Sequence, residues 1–445
     1  MRINGAKALV VGMARSGVAA MELLLHQKAN VRVADARPLS AIDGLEAKLA
    51  SLNVPFLPQT PEAFQGVDLI VVSPGVPADL PELEAARARG VPVIGEVELA
   101  SFFLRGPILG VTGSNGKTTT TALIGHILKS CGIPCQVGGN IGTPPAALVD
   151  ASRDDRWNVL ELSSFQLETV FRFRARIGVA LNVTPNHLNR HHTFENYAAA
   201  KSRLFLNQTE EDFAVLNACD DVCRGYSRTG RGRPVWFGLR PQSEGAWFDG
   251  ECLVADGTKV LAARDLSIRG LHNVENTLAA IAATRLAGAS LEGIADAART
   301  FQGVEHRLEF VAKVRGVDFY NDSKATSVDA TRKALSVFQG GLWVILGGED
   351  KGAPYTVLRD ELQAKARAVL LIGAAAPKIA RDLNGAVTLV ECGTLERAVE
   401  EAFRNASPGD TILLAPACAS FDQFRSFEHR GEVFKSLVRK LELQN

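Results

Sequence analysis

Short, wholly apolar runs alternate along this chain with stretches whose apolar residues return every third or fourth position. The first pattern predicts buried strands, the second amphipathic helices. Runs at 6–11, 31–34, 69–72 and 92–94 read as strands. Ser16 stands where it would cap the helix after the first run, with Val18, Met21, Leu24 and Leu25 on one stripe. Apolar strands separated by helices predict a parallel sheet covered on both faces, and this unit closes near residues 96–101.

A second unit opens with a strand at 108–111, a glycine-rich loop and a helix at 117–129. Strand signals follow at 159–162, 177–183 and 213–216. Between 235 and 266, alternating short runs and Asp-Gly pairs at 249–250 and 256–257 predict antiparallel hairpins. Helices are expected at 273–286 and 291–300. A third unit starts around Gly303, with strands at 308–314, 317–320, 343–346, 369–372, 388–390 and 411–414. A length of 445 residues agrees with this α/β organisation, at roughly 150 residues per domain.

Composition adds exclusions. The 49 basic residues balance 49 acidic ones, so no global field draws the protein to nucleic acid or an anionic membrane. No apolar run approaches the ~20 residues of a spanning helix. The opening MRINGAKALVVG enters the first patterned unit with no signal-peptide cleavage region. Seven cysteines without a CxxC pair read as buried thiols in a reducing cytoplasm. The arginines of 224–233 read as a solvated loop.

The strongest local signal is Gly113-Ser114-Asn115-Gly116-Lys117-Thr118, followed by Thr119, between a strand and a helix. Glycines let backbone N–H groups turn toward an anion, and the helix start adds its positive dipole end. Lys117 suits nucleotide phosphates and Thr118 suits Mg²⁺. Val111 stands where the longer phosphate-loop pattern has its first glycine. Glu161, at the end of a predicted strand, is where a magnesium ligand is wanted. His187 follows the 177–183 strand at the same sheet edge. Lys201, on a helix predicted at 197–205, reads by itself as a surface lysine.

The first unit has the outline of a dinucleotide fold, with Asp35 ending its second strand. Ala14 breaks the glycine fingerprint where a pyrophosphate must approach. A nicotinamide oxidoreductase is therefore the weaker reading. The same outline could hold a uridine nucleotide on Arg15, Ser16, Asp35, Arg37 and the turn at Ser73.

Ten motifs in order resemble the Mur ligases, ATP-dependent amide-forming enzymes of peptidoglycan synthesis. They are GSNGKT (113–118), GGNIG (138–142), ELSSFQLE (161–168), NVTPNHLNRH (182–191), AAAKSR (198–203), HNVEN (272–276), EHRLE (305–309), NDSKATS (321–327), LGGEDKG (346–352) and ACASFDQF (417–424). The resemblance implies three domains: a Rossmann-like UDP-substrate domain at 1–96, a P-loop ATPase-like domain at 97–302 and a Rossmann-like amino-acid domain at 303–445. It implies that ATP phosphates meet Lys117, and that Thr118 and Glu161 serve one Mg²⁺. A second Mg²⁺ falls to His187 and Lys201, the lysine carbamylated. Asn140, Ser163 and His187 would contact the muramoyl substrate, and Asn273 and Asn276 the adenine. Arg307 would meet phosphates, Asp322 the ribose, and Lys324 would reach into the closed site.

The implied acceptor is D-glutamate. Thr326 and Lys351 would hold one carboxylate, with Ser420, Phe421 and the Phe427 backbone at the other, as a compact dicarboxylate requires. The DNPR motif of the diamino-acid ligases is absent. Asn186 and Asn189 stand where Mur ligases often carry Asp, which puts a carboxylate role there in doubt. The implied protein is a cytoplasmic, monomeric enzyme acting on UDP-MurNAc-L-alanine, D-glutamate and ATP. A different Mur-type or folylpolyglutamate-type ligase is the alternative within the class, and a non-catalytic nucleotide-binding regulator the alternative outside it.

Overall fold

The computed structural model describes residues 3–242 and 244–444, so Met1 and Arg2 of the opening segment lie outside the described residues. The chain forms two compact units, Met1–Phe301 and Gln302–Asn445. The first unit contains two sheets. One has five strands: β1 (Lys7–Val11), β2 (Asn30–Asp35), β3 (Phe56–Pro58), β4 (Leu69–Val72) and β5 (Val93–Gly95). They lie in the order β3-β2-β1-β4-β5, all parallel. The apolar runs are explained by burial on both faces. Val10, Val33 and Val71 enter one core, while Leu9, Val11, Ile70 and Val72 enter the other. The order reverses at β1/β4, so a crevice opens at the carboxyl ends of those strands.

The second sheet has nine strands: β6 (Ile108–Thr112), β7 (Cys135–Gly139), β8 (Trp157–Glu161), β9 (Ile177–Ala180), β10 (Phe213–Asn217), β11 (Arg233–Gly238), β12 (Ala246–Phe248), β13 (Cys252–Ala255) and β14 (Thr258–Ala262). Its order is β14-β13-β12-β11-β10-β9-β6-β8-β7. Strand β6 lies parallel between β8 and β9, with Val111 opposite Glu161 and Thr112 opposite Ala180. The loops after these three strands therefore leave one sheet edge together.

The second unit carries six strands: β15 (Glu309–Val314), β16 (Val317–Asn321), β17 (Leu342–Gly347), β18 (Ala366–Ile372), β19 (Leu389–Gly393) and β20 (Thr411–Leu414). Their order is β15-β16-β20-β17-β18-β19, parallel except for β15. Val344, Leu371 and Leu413 face one core and Ile345, Leu370 and Ile412 the other. Among the described residues no helix is long and apolar enough to cross a membrane.

Several sequence expectations need correction. Ser16 does not cap its helix: Arg15–His26 starts after Ala14, which makes no side-chain cap. Strand β9 stops at Ala180, because residues 182–184 leave the ladder to bond the glycine-rich loop. The 235–266 stretch is antiparallel only from β12 to β14, since β11 pairs parallel with both neighbours. Strands β3 and β7 went unread, being short or glycine-rich. All seven cysteines are free, yet Cys219 is exposed.

The helix Glu96–Ser101, which follows the first sheet, is fixed by two buried acids. Glu98 accepts the backbone N–H groups of Phe171, Arg172 and Phe173 at 2.9, 2.8 and 3.0 Å. Glu96 accepts Ala146 N–H at 2.5 Å, and burial pushes its carboxyl up to about 8. Three backbone donors converge on the one Glu98 carboxyl, and removing that side chain strands them. Glu98→Ala is expected to destabilise the first unit by about 3 kcal/mol, read as a lower urea midpoint with circular dichroism.

Candidate active site

The loop after β6 is a pre-shaped anion cradle. Gly116, at φ +81°, precedes the helix Lys117–Ser130, and a Cβ there would lie 2.2 Å from Asn276 Oδ1. Only glycine fits, and with no side-chain cap on Gly116 the first helical N–H groups face outward. The loop is stitched to residues 182–184. Ser114 N–H donates to Asn182 O at 2.8 Å, and Asn115 N–H to Asn182 Oδ1 at 2.9 Å. Ser114 Oγ donates to Thr184 O and accepts Thr184 N–H and the Tyr197 hydroxyl. Thr118 and Thr119 sit buried in the helix's first turn.

Two lysines converge on one carbonyl. Lys117 Nζ donates to Gly113 O at 2.9 Å and to Ser114 O at 3.2 Å. Lys201 Nζ donates to the same Gly113 O at 2.8 Å and lies 4.5 Å from the Tyr197 ring centre. Lys201 is 1% exposed, not the surface lysine that its isolated position suggests. Burial and then the Lys117 charge push its amine down to about 6.

Glu161 closes the arrangement. It is 1% exposed; Oε1 accepts Asn140 Nδ2 at 2.8 Å, and buried Oε2 has no hydrogen-bond partner among the described residues. A buried carboxylate oxygen left without a donor calls for a cation. Anionic and neutral oxygen donors at Glu161 and Thr118 fit magnesium chemistry, so the residues present suit the ion that the motif expects. His187 starts the short helix Leu188–His191 in left-handed backbone, φ 53°, its ring 4.9 Å from that of Phe165. Burial and then the Lys117 charge hold its imidazole below the ordinary value. Asn186 Oδ1 accepts the His187 N–H at 2.9 Å. Ser163 is committed to a capping box with Gln166. Asn276 Nδ2 donates to Asn273 Oδ1 at 3.1 Å beside Gly116.

A cavity of about 500 Å³ lies at the β1/β4 crevice and extends to Asn140. Arg15, Ser16, Asp35, Arg37 and Ser73 all line it. Burial raises the Asp35 carboxyl, but bonds from Arg37 and Met13 N–H outweigh it and hold the group below the usual range. Those bonds are 3.0 Å from Arg37 Nε and 2.7 Å from Met13 N. Arg15 reaches across to Gly142 O of the GGNIG loop.

In the second unit the remaining predicted residues follow adjacent strand ends. Asp322, Lys324 and Thr326 come after β16, Lys351 after β17, and Ser420 and Phe421 after β20. Burial pushes Asp322 up to about 6 against the pull of nearby Arg307. Lys324 Nζ lies 5.6 Å from the Phe427 ring. Ser420 Oγ is buried without a hydrogen-bond partner among the described residues, whereas Phe421 is exposed. Phe427 opens the helix Phe427–Gln444, and its carbonyl accepts Ser323 Oγ at 2.8 Å. Sequence reasoning missed Tyr197, although it stands one helical turn before Lys201 on the same face. It also missed the stitching role of Asn182 and Thr184, which has no composition signal.

Residues 6–95 match the Mur ligase MurD-like N-terminal domain, 111–284 the Mur ligase middle domain, and 306–418 the Mur ligase glutamate ligase domain. The chain is 60% identical to the UDP-N-acetylmuramoylalanine–D-glutamate ligase of Solibacter usitatus, over 99% of each chain. It is 51% identical to the protein of that name from Acidobacterium capsulatum, over 98% of this chain and 97% of the other. The solved UDP-N-acetylmuramate–alanine ligase of Thermotoga maritima has 20% identity and a TM-score of 0.62, covering 99% of this chain and 100% of its own, a likeness of fold. Matched at all three of its sheets and aligned end to end with such relatives, the chain belongs to the Mur ligase family.

Proposed function

We propose that this protein is an ATP-dependent ligase that joins D-glutamate to UDP-N-acetylmuramoyl-L-alanine, through an acyl phosphate, in cytoplasmic peptidoglycan precursor synthesis. The observation that carries the reading is the glycine cradle of Lys117 set against a buried, half-partnered Glu161 carboxylate. ATP and Mg²⁺ go with the family. Alignment over 98–99% of this chain with relatives named as D-glutamate ligases, at 48–60% identity, supports the choice of acceptor. Residues 1–96, 97–302 and 303–445 serve as working domains for the UDP substrate, ATP and the amino acid, and the enzyme acts as a monomer.

Phosphoryl transfer demands positioning and charge neutralisation rather than a protein nucleophile. The helix start and Lys117 take the ATP phosphates, and Asn273 and Asn276 lie toward the adenine. Thr118 and Glu161 would hold one Mg²⁺, and His187 and Lys201 a second. A metal held by these residues would supply charge neutralisation at the phosphoryl oxygens. Lys201 serves as its carbamate, and its buried, uncharged amine is the form that adds to CO₂. Asp322 meets the ribose, Arg307 the phosphates, and Lys324 the reacting carboxyl. An oxygen of the L-alanyl carboxylate bonds to the γ-phosphorus of ATP, the bond to the bridging oxygen breaks, and ADP is the leaving group. The amine of D-glutamate attacks the acyl carbon, the C–O bond breaks, and phosphate leaves. Asn140 orients the muramoyl part. Arg15, Ser16, Asp35, Arg37 and Ser73 bind the uridine nucleotide in the first crevice.

ADP release with UDP-MurNAc-L-alanine and a panel of amino acids tests the function. D-glutamate is expected to be the one strong acceptor, and strong turnover with a diamino acid or L-glutamate would replace this reading with another ligase. Lys201→Ala is expected to lose about a hundredfold or more in kcat and to regain part with a short carboxylic acid. Full activity without that acid removes Lys201 from the metal site. Asp35→Ala is expected to raise KM for the UDP substrate about tenfold and leave KM for ATP unchanged, checked by steady-state kinetics.

A further inference from the structure

The two groups assigned above to the carboxylates of D-glutamate, Lys351 and Ser420, sit on loops that follow the neighbouring strands β17 and β20. Those loops are tied together in two ways. Glu349 and Ala419 exchange both backbone hydrogen bonds, at 3.0 and 3.1 Å. Gly348, at φ +135°, permits this approach, since a Cβ there would lie 2.2 Å from Ala419 O. The second tie is a side-chain chain beneath the loops. The Tyr355 hydroxyl, on a side chain 1% exposed, donates to Asp350 Oδ1 at 2.9 Å and lies 3.0 Å from Cys418 Sγ. The tyrosine proton is spent on the carboxylate, so the thiol donates to the phenol oxygen. Burial pushes both the Cys418 thiol and the Tyr355 hydroxyl up, which keeps both protons in place. On its other side Asp350 takes Lys378 Nζ at 2.9 and 3.2 Å, and the same Nζ donates to Ala353 O at 3.0 Å.

Asp350 directly precedes Lys351, and Cys418 stands two residues before Ser420. The bonded path from Asp350 through Tyr355 to Cys418 therefore spans from one binding group to the other. We propose that Asp350, Tyr355 and Lys378 are positioning residues that fix the separation of Lys351 and Ser420, and through it the length of dicarboxylate that the site accepts. This proposal rests on the assignment of those two groups to D-glutamate. Separation matters because Ser420 Oγ has no hydrogen-bond partner among the described residues, and a ligand atom would complete that bond at one distance. A ligand one methylene shorter cannot satisfy both ends of a fixed span, and loses correspondingly more than an apolar pocket would exact.

Steady-state kinetics on the full chain test it, with Asp350→Ala, Tyr355→Phe and Lys351→Ala measured side by side. Asp350→Ala is expected to raise KM for D-glutamate about tenfold, with kcat and the KM values for ATP and the UDP substrate within about twofold of the parent. Tyr355→Phe keeps the ring packing and is expected to raise the same KM about threefold. Both are expected to narrow the preference for D-glutamate over D-aspartate. If Lys351→Ala raises KM for D-glutamate while the other two leave KM and preference at parental values, the positioning role is overturned and the amino-acid site stands. If Lys351→Ala leaves that KM unchanged, the site assignment itself falls. A loss of kcat with all KM values unchanged marks a merely structural role and also overturns the proposal.

Discussion

The parallel seating of β6 between β8 and β9 is the constraint on which the candidate site depends. Parallel strands in register deliver their carboxyl ends to one edge, and the register here opposes Val111 to Glu161 and Thr112 to Ala180. A slip of one residue would turn the Glu161 side chain to the other face of the sheet. The glycine cradle, the acid and the 182–187 loop meet because of this pairing. The same logic, carboxyl ends gathered where strand order reverses, puts the nucleotide-sized cavity at the β1/β4 crevice.

Charge then decides what that edge can hold. Lys117 and Lys201 both donate to Gly113 O, and the nearby Glu161 keeps one oxygen without a partner. In a low-dielectric setting two adjacent ammonium groups disfavour each other, which adds to the burial that strips Lys201 of its proton near neutral pH. The outcome is a loop that carries one lysine at its helix start and a second, buried amine held well below its usual range. The anions of ATP and the cation that neutralises them suit this imbalance. The first unit handles charge differently: Asp35 accepts from Arg37 and Met13 N–H, which ties Arg37 to the glycine turn at the cavity wall.

Much of this was legible in the residues. Apolar runs located β4 and β20 to the residue because strands buried on both faces admit few polar positions. The glycine-rich loop and Glu161 could be read because phosphate and metal chemistry restrict residue types at fixed spacing. Other features left no local trace. Strand β7 contains two glycines and resembles a turn. Lys201 looked solvent-facing because the contact that buries its amine is with Gly113, 88 positions away in sequence. Ser16 looked like a cap because capping residues are recognised by type, whereas the helix began earlier on a residue without one.

The central claim is that the cradle energises a carboxylic acid by phosphorylating it before nitrogen captures it. Isotope tracing with ¹⁸O in the L-alanyl carboxylate of the UDP substrate tests this most directly. The account predicts that one labelled oxygen per turnover appears in inorganic phosphate. Turnover to the amide with all label remaining in product or water would contradict it.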